Sequence, residues 1–197
     1  MEVLRPDVVT KRVRYLDAIK DVPAERLVFL DESGMNLAMS RSHAWVRRGT
    51  EFVDRIPMNW GGNLTLLGAI RLSGWVVLST MFASTNSDRF VAWLEHKLLP
   101  KLRPADVIVM DNLSAHHDPR VRAVCARHAV EVRYLPPYSP DLSPIEPGWA
   151  LQKQAVRREA PRDRVALLRS ARRARFRVTP RHCRAWFAHC GYPVQPR

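Results

Sequence analysis

Residues 106–111 read DVIVMD and residues 27–31 read LVFLD, two apolar runs that each end in an aspartate. Short runs of this kind, rich in Val, Ile and Leu, are typical of strands that are buried on both faces of a sheet. An open α/β sheet presents the side chains at its strand ends to a crevice. We therefore expect Asp31 and Asp111 to meet at one edge of a buried sheet, with a loop following Asp31.

Three further pieces of the chain have the composition of strands and are separated by turn signals. They are HAWVRR (residues 43–48), NLTLLGAIRL (63–72) and GWVVLSTMFA (74–83). Consecutive strands that are joined by short turns pair antiparallel, so these pieces predict an antiparallel part of the sheet. The run EVRYL (131–135) predicts one more strand.

Helices are indicated where the spacing of apolar residues changes. Every fourth residue is apolar from Phe90 to Leu98, after a capping cluster that begins at Asn86. Asp118 and Ser143 are each followed by proline, which is typical of a helix start. Strands first, and then alternating helices and strands, predict an α/β class with a mixed sheet flanked by helices.

The length of 197 residues fits one hydrophobic core. We divide the chain into residues 1–26, an N-terminal helix or linker; residues 27–160, the catalytic domain; and residues 161–197, a basic helical extension packed on the same domain. Apolar positions at helical spacing support a helix in the first part. They are Val9, Val13, Leu16 and Ile19.

Positive charge is concentrated near the C-terminus. Residues 147–197 hold 13 Lys and Arg against 2 Asp and Glu, a net +11, whereas residues 1–146 hold 19 against 17. A chain with a net charge of +13 attracts polyanions, so nucleic acid is the expected partner. The alternative is a solvated, arginine-rich helical surface that binds nothing.

Other site types find less support in the sequence. Three cysteines without CxxC spacing argue against a disulfide framework or a zinc ribbon, and the His-Cys pairs at 182–183 and 189–190 favour buried packing over a metal site. Residues 74–83 are too few to span a bilayer, and the N-terminal residues have no signal-peptide pattern, so we expect a cytoplasmic protein.

The two aspartates indicate a metal site, if their strands are neighbours. Adjacent carboxylates repel one another unless cations lie between them, and oxygen ligands favour Mg²⁺ or Mn²⁺. Two such ions activate the attacking oxygen and stabilise the leaving oxygen during displacement at phosphorus, which predicts a phosphodiester substrate. Each aspartate alone also fits an ordinary loop or capping residue.

No phosphate-binding glycine motif is present, so we expect no nucleotide cofactor.

Glu146 is the third candidate carboxylate, and it has two interpretations. The spacing from Ser143 to Glu146 is that of a capping box, in which the glutamate only binds the backbone amide of the serine. The other interpretation is a metal ligand, and the residue pattern leaves both open. Asp141 is a competing acid that fits better as a turn residue.

Three blocks of this sequence resemble the catalytic blocks of mariner-superfamily transposases, in particular those of the bacterial insertion-sequence family 630. The blocks are LVFLDESG (27–34), VIVMDNLSAH (107–116) and YLPPYSPDLSPIEPGWALQK (134–153). The stretch 112–145, which lies between Asp111 and Glu146, has the same length as the stretch between the second and third catalytic acids of that family. The resemblance implies an RNase H-like fold and a DDE transposase catalytic domain. Such a domain cleaves DNA and joins the freed 3′-hydroxyl to target DNA at a TA sequence.

The resemblance also implies roles for individual residues. Asp31, Asp111 and Glu146 become the catalytic ligands of two Mg²⁺ or Mn²⁺ ions, and Asn112 and His116 become neighbours of the scissile phosphate. We further expect basic residues to contact the DNA backbone without reading its sequence, with an ordinary surface cation as the alternative for each. They are Arg47, Arg48, Lys153, Arg157 and Arg158.

The partners implied by the resemblance are transposon ends and target DNA, bound by a homodimer. Family members usually carry helix-turn-helix modules before the first catalytic acid. The segment 1–30 before Asp31 is short for such modules, so we expect one of three origins: one reading frame of a split gene whose upstream frame supplies the modules, an excised catalytic fragment, or a decayed remnant. Ser143 stands where the family usually has Asn, and Ser33 where Thr is common. Two alternatives stay open: a non-catalytic regulatory fragment that binds DNA, and an RNase H-like nuclease without strand transfer.

Overall fold

A five-stranded mixed sheet forms the centre of the protein, as its computed structural model shows for residues 2–41 and 43–194. The strands are β1 (Leu27–Met35), β2 (Leu64–Arg71), β3 (Gly74–Met81), β4 (Val107–Met110) and β5 (Glu131–Tyr134). Their order is β3-β2-β1-β4-β5, with antiparallel pairing from β3 to β1 and parallel pairing from β1 to β5. The predicted α/β mixed sheet is therefore confirmed.

Helices cover both faces of this sheet. They are α1 (Pro6–Ile19), α2 (Ser87–Trp93), α3 (Pro119–Arg127), α4 (Glu146–Glu159), α5 (Arg164–Ala174) and α6 (Pro180–His189). Asn86 and Asp118 cap α2 and α3 as predicted, because each side chain accepts a hydrogen bond from a backbone amide of the first turn. Helix α2 continues through a π-helical turn at Leu94–Leu98, which completes the predicted apolar pattern.

Two hydrophobic cores lie on the two faces of the sheet. Alternate residues of β1 point to opposite faces, so that Phe29 packs beneath the C-terminal helices while Leu30 packs beneath α2 and α3. Cys183 and Cys190 are buried in the first core, and Cys125 is buried in the second. Packing is thus their role among the described residues, as the sequence favoured.

Helix α1 buries a different stripe from the predicted one. Val8, Tyr15 and Ile19 face the core, and only the last of these belongs to the predicted set. The other predicted positions, Val9, Val13 and Leu16, are exposed. The Tyr15 hydroxyl bonds to the hydroxyl of Tyr192 at 2.8 Å, which fixes the rotation of the helix.

The predicted strand HAWVRR is wrong. Within the described part of residues 36–63 the chain forms neither helix nor strand, and Trp45 and Met58 are fully exposed. The sheet order contributes to this: β2 already has β1 and β3 on its two sides, so the segment cannot pair with the strand that follows it, and within the described residues it pairs with no other strand. A hydrogen bond from the Leu37 amide to the Trp60 carbonyl closes the base of this segment. The three-part division of the chain remains a prediction.

Candidate active site

The cleft at the candidate site begins where β1 and β4 separate. The two strands pair in parallel only over Leu27–Phe29 and Val107–Val109. Asp31 and Asp111 each lie two residues beyond the last pair, Phe29 with Val109, and therefore stand at the same height in the sheet. Asp111 follows the end of β4, as predicted. Asp31 does not end β1, because β2 continues to pair with β1 as far as Met35.

Asp31 is held by a residue from helix α4. The Trp149 Nε1–H donates a hydrogen bond to the Asp31 Oδ2 at 2.8 Å. Burial raises the pKa of Asp31 to about 7, and repulsion from Glu146 and Asp111 adds to the rise, while hydrogen bonds from the Glu32 backbone and Trp149 oppose it. The raised pKa therefore reflects burial of the carboxyl group first and the two neighbouring acids second.

Asp111 has different surroundings, although it stands beside Asp31. Burial acts to raise its pKa, but hydrogen bonds from His116 and from the Leu113 amide outweigh this effect and hold the pKa below its ordinary value. The His116 Nδ1 lies 2.7 Å from the Asp111 Oδ1, and the Leu113 amide donates to the same oxygen at 3.1 Å. The carboxylate is thereby oriented and kept charged.

His116 is fully buried beside Asp111, and its place near the scissile phosphate stays a prediction. Its ring packs on Phe90 with centroids 4.4 Å apart, and its backbone carbonyl accepts a hydrogen bond from the Tyr134 hydroxyl at 2.8 Å. Within the site its side chain contacts the Asp111 carboxylate, which it orients.

Helix α4 begins at Glu146. The predicted start was earlier, at Ser143–Pro144. The residue before the helix is Ile145, and no side chain caps the first turn. The capping-box interpretation is therefore wrong, and the exposed Glu146 is left to project from the helix start. The competing acid Asp141 lies in a short turn and forms an ion pair with Arg12 at 2.6 Å.

All three predicted carboxylates line one cavity of about 350 Å³. Asn112 also lines it, and its side-chain amide donates to the Leu135 carbonyl at 2.6 Å, while its contact with the substrate stays a prediction. The proline-rich stretch at residues 136–140 forms the opposite wall. The cavity therefore joins the ends of two strands to the start of α4.

The donor chemistry of this cavity fits a hard divalent cation, since carboxylate oxygens are the preferred ligands of Mg²⁺ and Mn²⁺. In residues 2–41 and 43–194, however, no three His, Cys, Asp or Glu side chains are gathered closely enough to hold a metal ion. Asp31 is turned toward Trp149 and Asp111 toward His116. The three carboxylates line the same cavity but do not converge on a single point.

The predicted DNA-contacting cations lie on two surfaces. Arg157 and Arg158 line a groove of about 1180 Å³ that runs beside α4 and starts at Pro147, next to Glu146. Lys153 is half-buried on the same helix. Arg47 and Arg48 are exposed on the irregular segment between β1 and β2.

Sequence reasoning missed two contributors to this region. Trp149 was not assigned the Asp31 contact, although its position three residues after Glu146 places it near the same helix face. Arg41 was missed as well: its guanidinium donates to the Arg158 carbonyl at 3.1 Å and closes the groove. No local pattern signals a contact between residues so far apart in the chain.

The DDE superfamily endonuclease family matches residues 26–168 of the chain. No curated protein matches. Three solved structures share the fold: the Mos1 transposase paired-end complex with left transposon end (19% identity, TM-score 0.65), the Mos1 mariner paired-end complex with Mn (16%, 0.71) and the catalytic domain of Mos1 mariner transposase (18%, 0.52).

These alignments cover 96%, 95% and 96% of this chain and 64%, 59% and 94% of the respective Mos1 chains. The chain thus spans about three fifths of the transposase in the two complexes and nearly all of the isolated catalytic domain. At these identities the likeness shows an RNase H-like fold with helices on both faces of the sheet. In the described residues no helix is long and apolar enough to cross a membrane. By the match over residues 26–168, this chain belongs to the DDE superfamily endonucleases.

Proposed function

We propose that this domain is the catalytic domain of a transposase, which cleaves DNA strands and joins the freed 3′ end to a second DNA. The observation that carries the proposal is the convergence of Asp31, Asp111 and Glu146, from three separate elements, on one cavity. Three acids that line one cavity, within a chain of net charge +13, support a cation-assisted reaction on DNA as the function.

Asp31, Asp111 and Glu146 are proposed as the ligands of two Mg²⁺ or Mn²⁺ ions. Such ions, when bound, supply charge neutralisation and activation of the oxygen nucleophile. The chain itself contributes the positioning of its carboxylates: Trp149 holds Asp31, and His116 holds Asp111. Glu146 stands at the first residue of α4, where the helix fixes its backbone.

The DNA backbone is proposed to run over the groove beside α4. This groove begins next to Glu146 and is lined by three arginines with no acidic residue among its lining side chains. Arg41, Arg157 and Arg158 are the arginines. Lys153, Arg47 and Arg48 extend the same positive field, and Asn112 faces the substrate at the cavity. Backbone contacts of this kind position DNA and leave its sequence unread.

The finer assignments of the function rest on the sequence blocks around the three acids. We propose an origin in a bacterial insertion sequence of family 630, a TA target, a homodimer on DNA, and a helix-turn-helix segment that supplies recognition of the transposon ends. The Mos1 structures that share the fold are described as complexes with transposon ends and as a strand transfer complex, which supports the DNA partner.

The test is strand cleavage and strand transfer by the full chain on labelled element-end DNA and plasmid target, in Mg²⁺, in Mn²⁺ and in a chelator. We expect cleavage and joined products with either ion, and none in the chelator or in the variants Asp31→Asn, Asp111→Asn and Glu146→Gln. Cleavage without joined products would identify a nuclease. Binding without cleavage would identify a regulatory fragment.

A further inference from the structure

The C-terminal end of α5 and the short 3-10 turn after it, Arg175–Arg177, carry an unusual concentration of arginine around one exposed aromatic ring. We call residues 172–177 the arginine–phenylalanine turn. Phe176 is 71% exposed, and the Arg175 guanidinium lies over its ring at 4.5 Å from the centroid. The turn lies beyond residue 168, where the match to the endonuclease family ends.

The charge around this turn has one sign. Residues 164–194 contain eight arginines, no lysine and no acidic residue. Arg173 pairs with Glu159 of α4 at 2.6 Å, while Arg172 and Arg175 are exposed. Arginine binds phosphate through two parallel hydrogen bonds and also stacks on bases, which lysine does not. The composition therefore fits a nucleic-acid strand better than a general anionic surface.

A cavity of about 550 Å³ separates this turn from strand β3. Its walls are Arg172, Arg173, Arg175 and Phe176 on one side and Leu78, Ser79 and Thr80 on the other. Strand β3 is an edge of the sheet, so within the described part of the chain its outer backbone N–H and C=O groups have no strand partner. The volume falls in the range of about 300–1,000 Å³ that is typical of small-ligand sites. An apolar wall, free backbone groups and arginines together suit a nucleotide.

The cavity also has a defined relation to the carboxylates. Asp31 pairs with Gly68, and Gly68 pairs with Leu78, so the three residues form one row across the sheet. With strands about 4.8 Å apart, Leu78 stands roughly 10 Å from Asp31. That distance equals about three nucleotides of a duplex strand at about 3.4 Å each. The Trp149 and Trp75 rings cover Gly68 in this row, so a strand held at the carboxylates would pass around these rings to reach the arginine–phenylalanine turn.

We propose that the arginine–phenylalanine turn binds an unpaired nucleotide of the DNA strand, with its phosphate on Arg172 or Arg175 and its base on Phe176. A base inside a duplex has both faces covered by its neighbours, so only an unpaired base can stack on the ring. The inference rests on the proposed function only in taking DNA as the partner. It adds a second contact, outside the carboxylate cavity, that is selective for single strands.

Fluorescence anisotropy in a chelator, where cleavage does not occur, tests this proposal on the full chain. The probes are a labelled oligonucleotide of about 12 nucleotides and the same sequence as a duplex. Phe176→Leu keeps an apolar side chain and removes the aromatic face, so we expect single-strand affinity to fall about five-fold or more and duplex affinity less than about two-fold. Because Phe176 is exposed, the thermal unfolding midpoint should be unchanged.

Arginine variants provide the matched comparison. Arg172→Ala should weaken both probes and reduce the salt dependence of binding, whereas Arg169→Ala, an equal charge change on the same helix outside the cavity, should do so less. The proposal is overturned if Phe176→Leu binds the single strand as wild type does, or weakens both probes alike. Absence of cleavage by the wild-type chain in Mg²⁺ would instead count against the proposed function, and the binding result would stand.

Discussion

Asp31 and Asp111 stand at equal heights on neighbouring parallel strands, yet the two halves of the site are built differently. On the β1 side, Asp31 lies within a continuing strand and is held by Trp149, a core residue of α4. On the β4 side, Asp111 begins a loop and is held by His116, a near neighbour in the chain. The pKa of Asp31 is raised chiefly by burial, whereas local hydrogen bonds lower that of Asp111.

The two aspartates therefore differ in what holds them: core packing for Asp31 and hydrogen bonds within a loop for Asp111. The Asp31 half depends on side chains that also fill the core, so changes there should alter the free energy of unfolding. The Asp111 half depends on a few hydrogen bonds in a loop, so changes there should alter cleavage with little effect on folding. Four substitutions distinguish these two kinds of effect.

The largest effect is expected for Asp111→Asn. The amide keeps the shape of the side chain but loses the charge that a divalent ion requires, so several kcal/mol of transition-state stabilisation should be lost. Strand cleavage should fall by about 10³-fold or more. Gel assays in Mg²⁺ measure this, with the surface change Asp21→Asn as control. Wild-type cleavage by the variant would remove Asp111 from the mechanism.

The next effect is expected for His116→Phe, which preserves the ring beside Phe90 but removes the donor to Asp111. Loss of a residue that orients a metal ligand typically costs about 10- to 100-fold in activity or metal affinity. The Mg²⁺ concentration for half-maximal cleavage should rise, and His116→Asn, which keeps a donor, should recover part of it. An equal loss in His117→Phe, the exposed neighbour, would contradict the assignment.

On the other half of the site, Gly68→Ala should destabilise the fold. An added Cβ would come within 2.7 Å of the Trp149 ring and 2.8 Å of the Trp75 ring, both of which are packed in place. Overpacking of this kind costs about 1–3 kcal/mol in the free energy of unfolding. Chemical denaturation measures it against Gly34→Ala on β1, where no atom lies within 4 Å of the added carbon. Equal stability of the two variants would refute the packing argument.

The smallest effect is expected for Trp149→Phe. This change keeps an aromatic ring against Trp75 and removes the hydrogen bond to Asp31, which should cost about 1 kcal/mol. Trp75→Phe is the matched control, because the buried Trp75 Nε1 has no hydrogen-bond partner in the described part of the chain. If both variants lose the same stability, the hydrogen bond to Asp31 contributes nothing beyond ring packing.

The sequence predicted the strands of the site well, because β1 and β4 are apolar runs whose burial depends on composition alone. Helix starts at Asn86 and Asp118 were also predictable, since the caps are set by the residues beside them. The strand pattern at residues 43–48 failed for a nonlocal reason: the next strand in the chain, β2, already has β1 and β3 on its two sides. Local composition carries no information about such competition.

The three acids of the site could be predicted from the sequence, whereas the residues that hold them in place could be predicted less well. Asp31, Asp111 and Glu146 meet at one cavity as expected, although their gathering around metal ions remains a prediction. His116 was expected near the phosphate from the family resemblance, and the sequence did not show that its ring would be buried. Burial is decided by Phe90 and Tyr134, which approach from distant parts of the chain.

The strand order has a consequence for how the protein folds. Strands β2 and β3 form a hairpin of neighbouring residues, whereas the pairing of Leu27 with Val107 joins positions that are far apart in the chain, with the whole hairpin and α2 between them. Contacts of long sequence separation carry the larger loop-closure cost and form slowly. We expect β4 to join the sheet late, after the hairpin is in place. Asp31 and Asp111 then become neighbours only after the hairpin has formed, so a chain synthesised only as far as β3 has no acidic cleft with which to act on DNA.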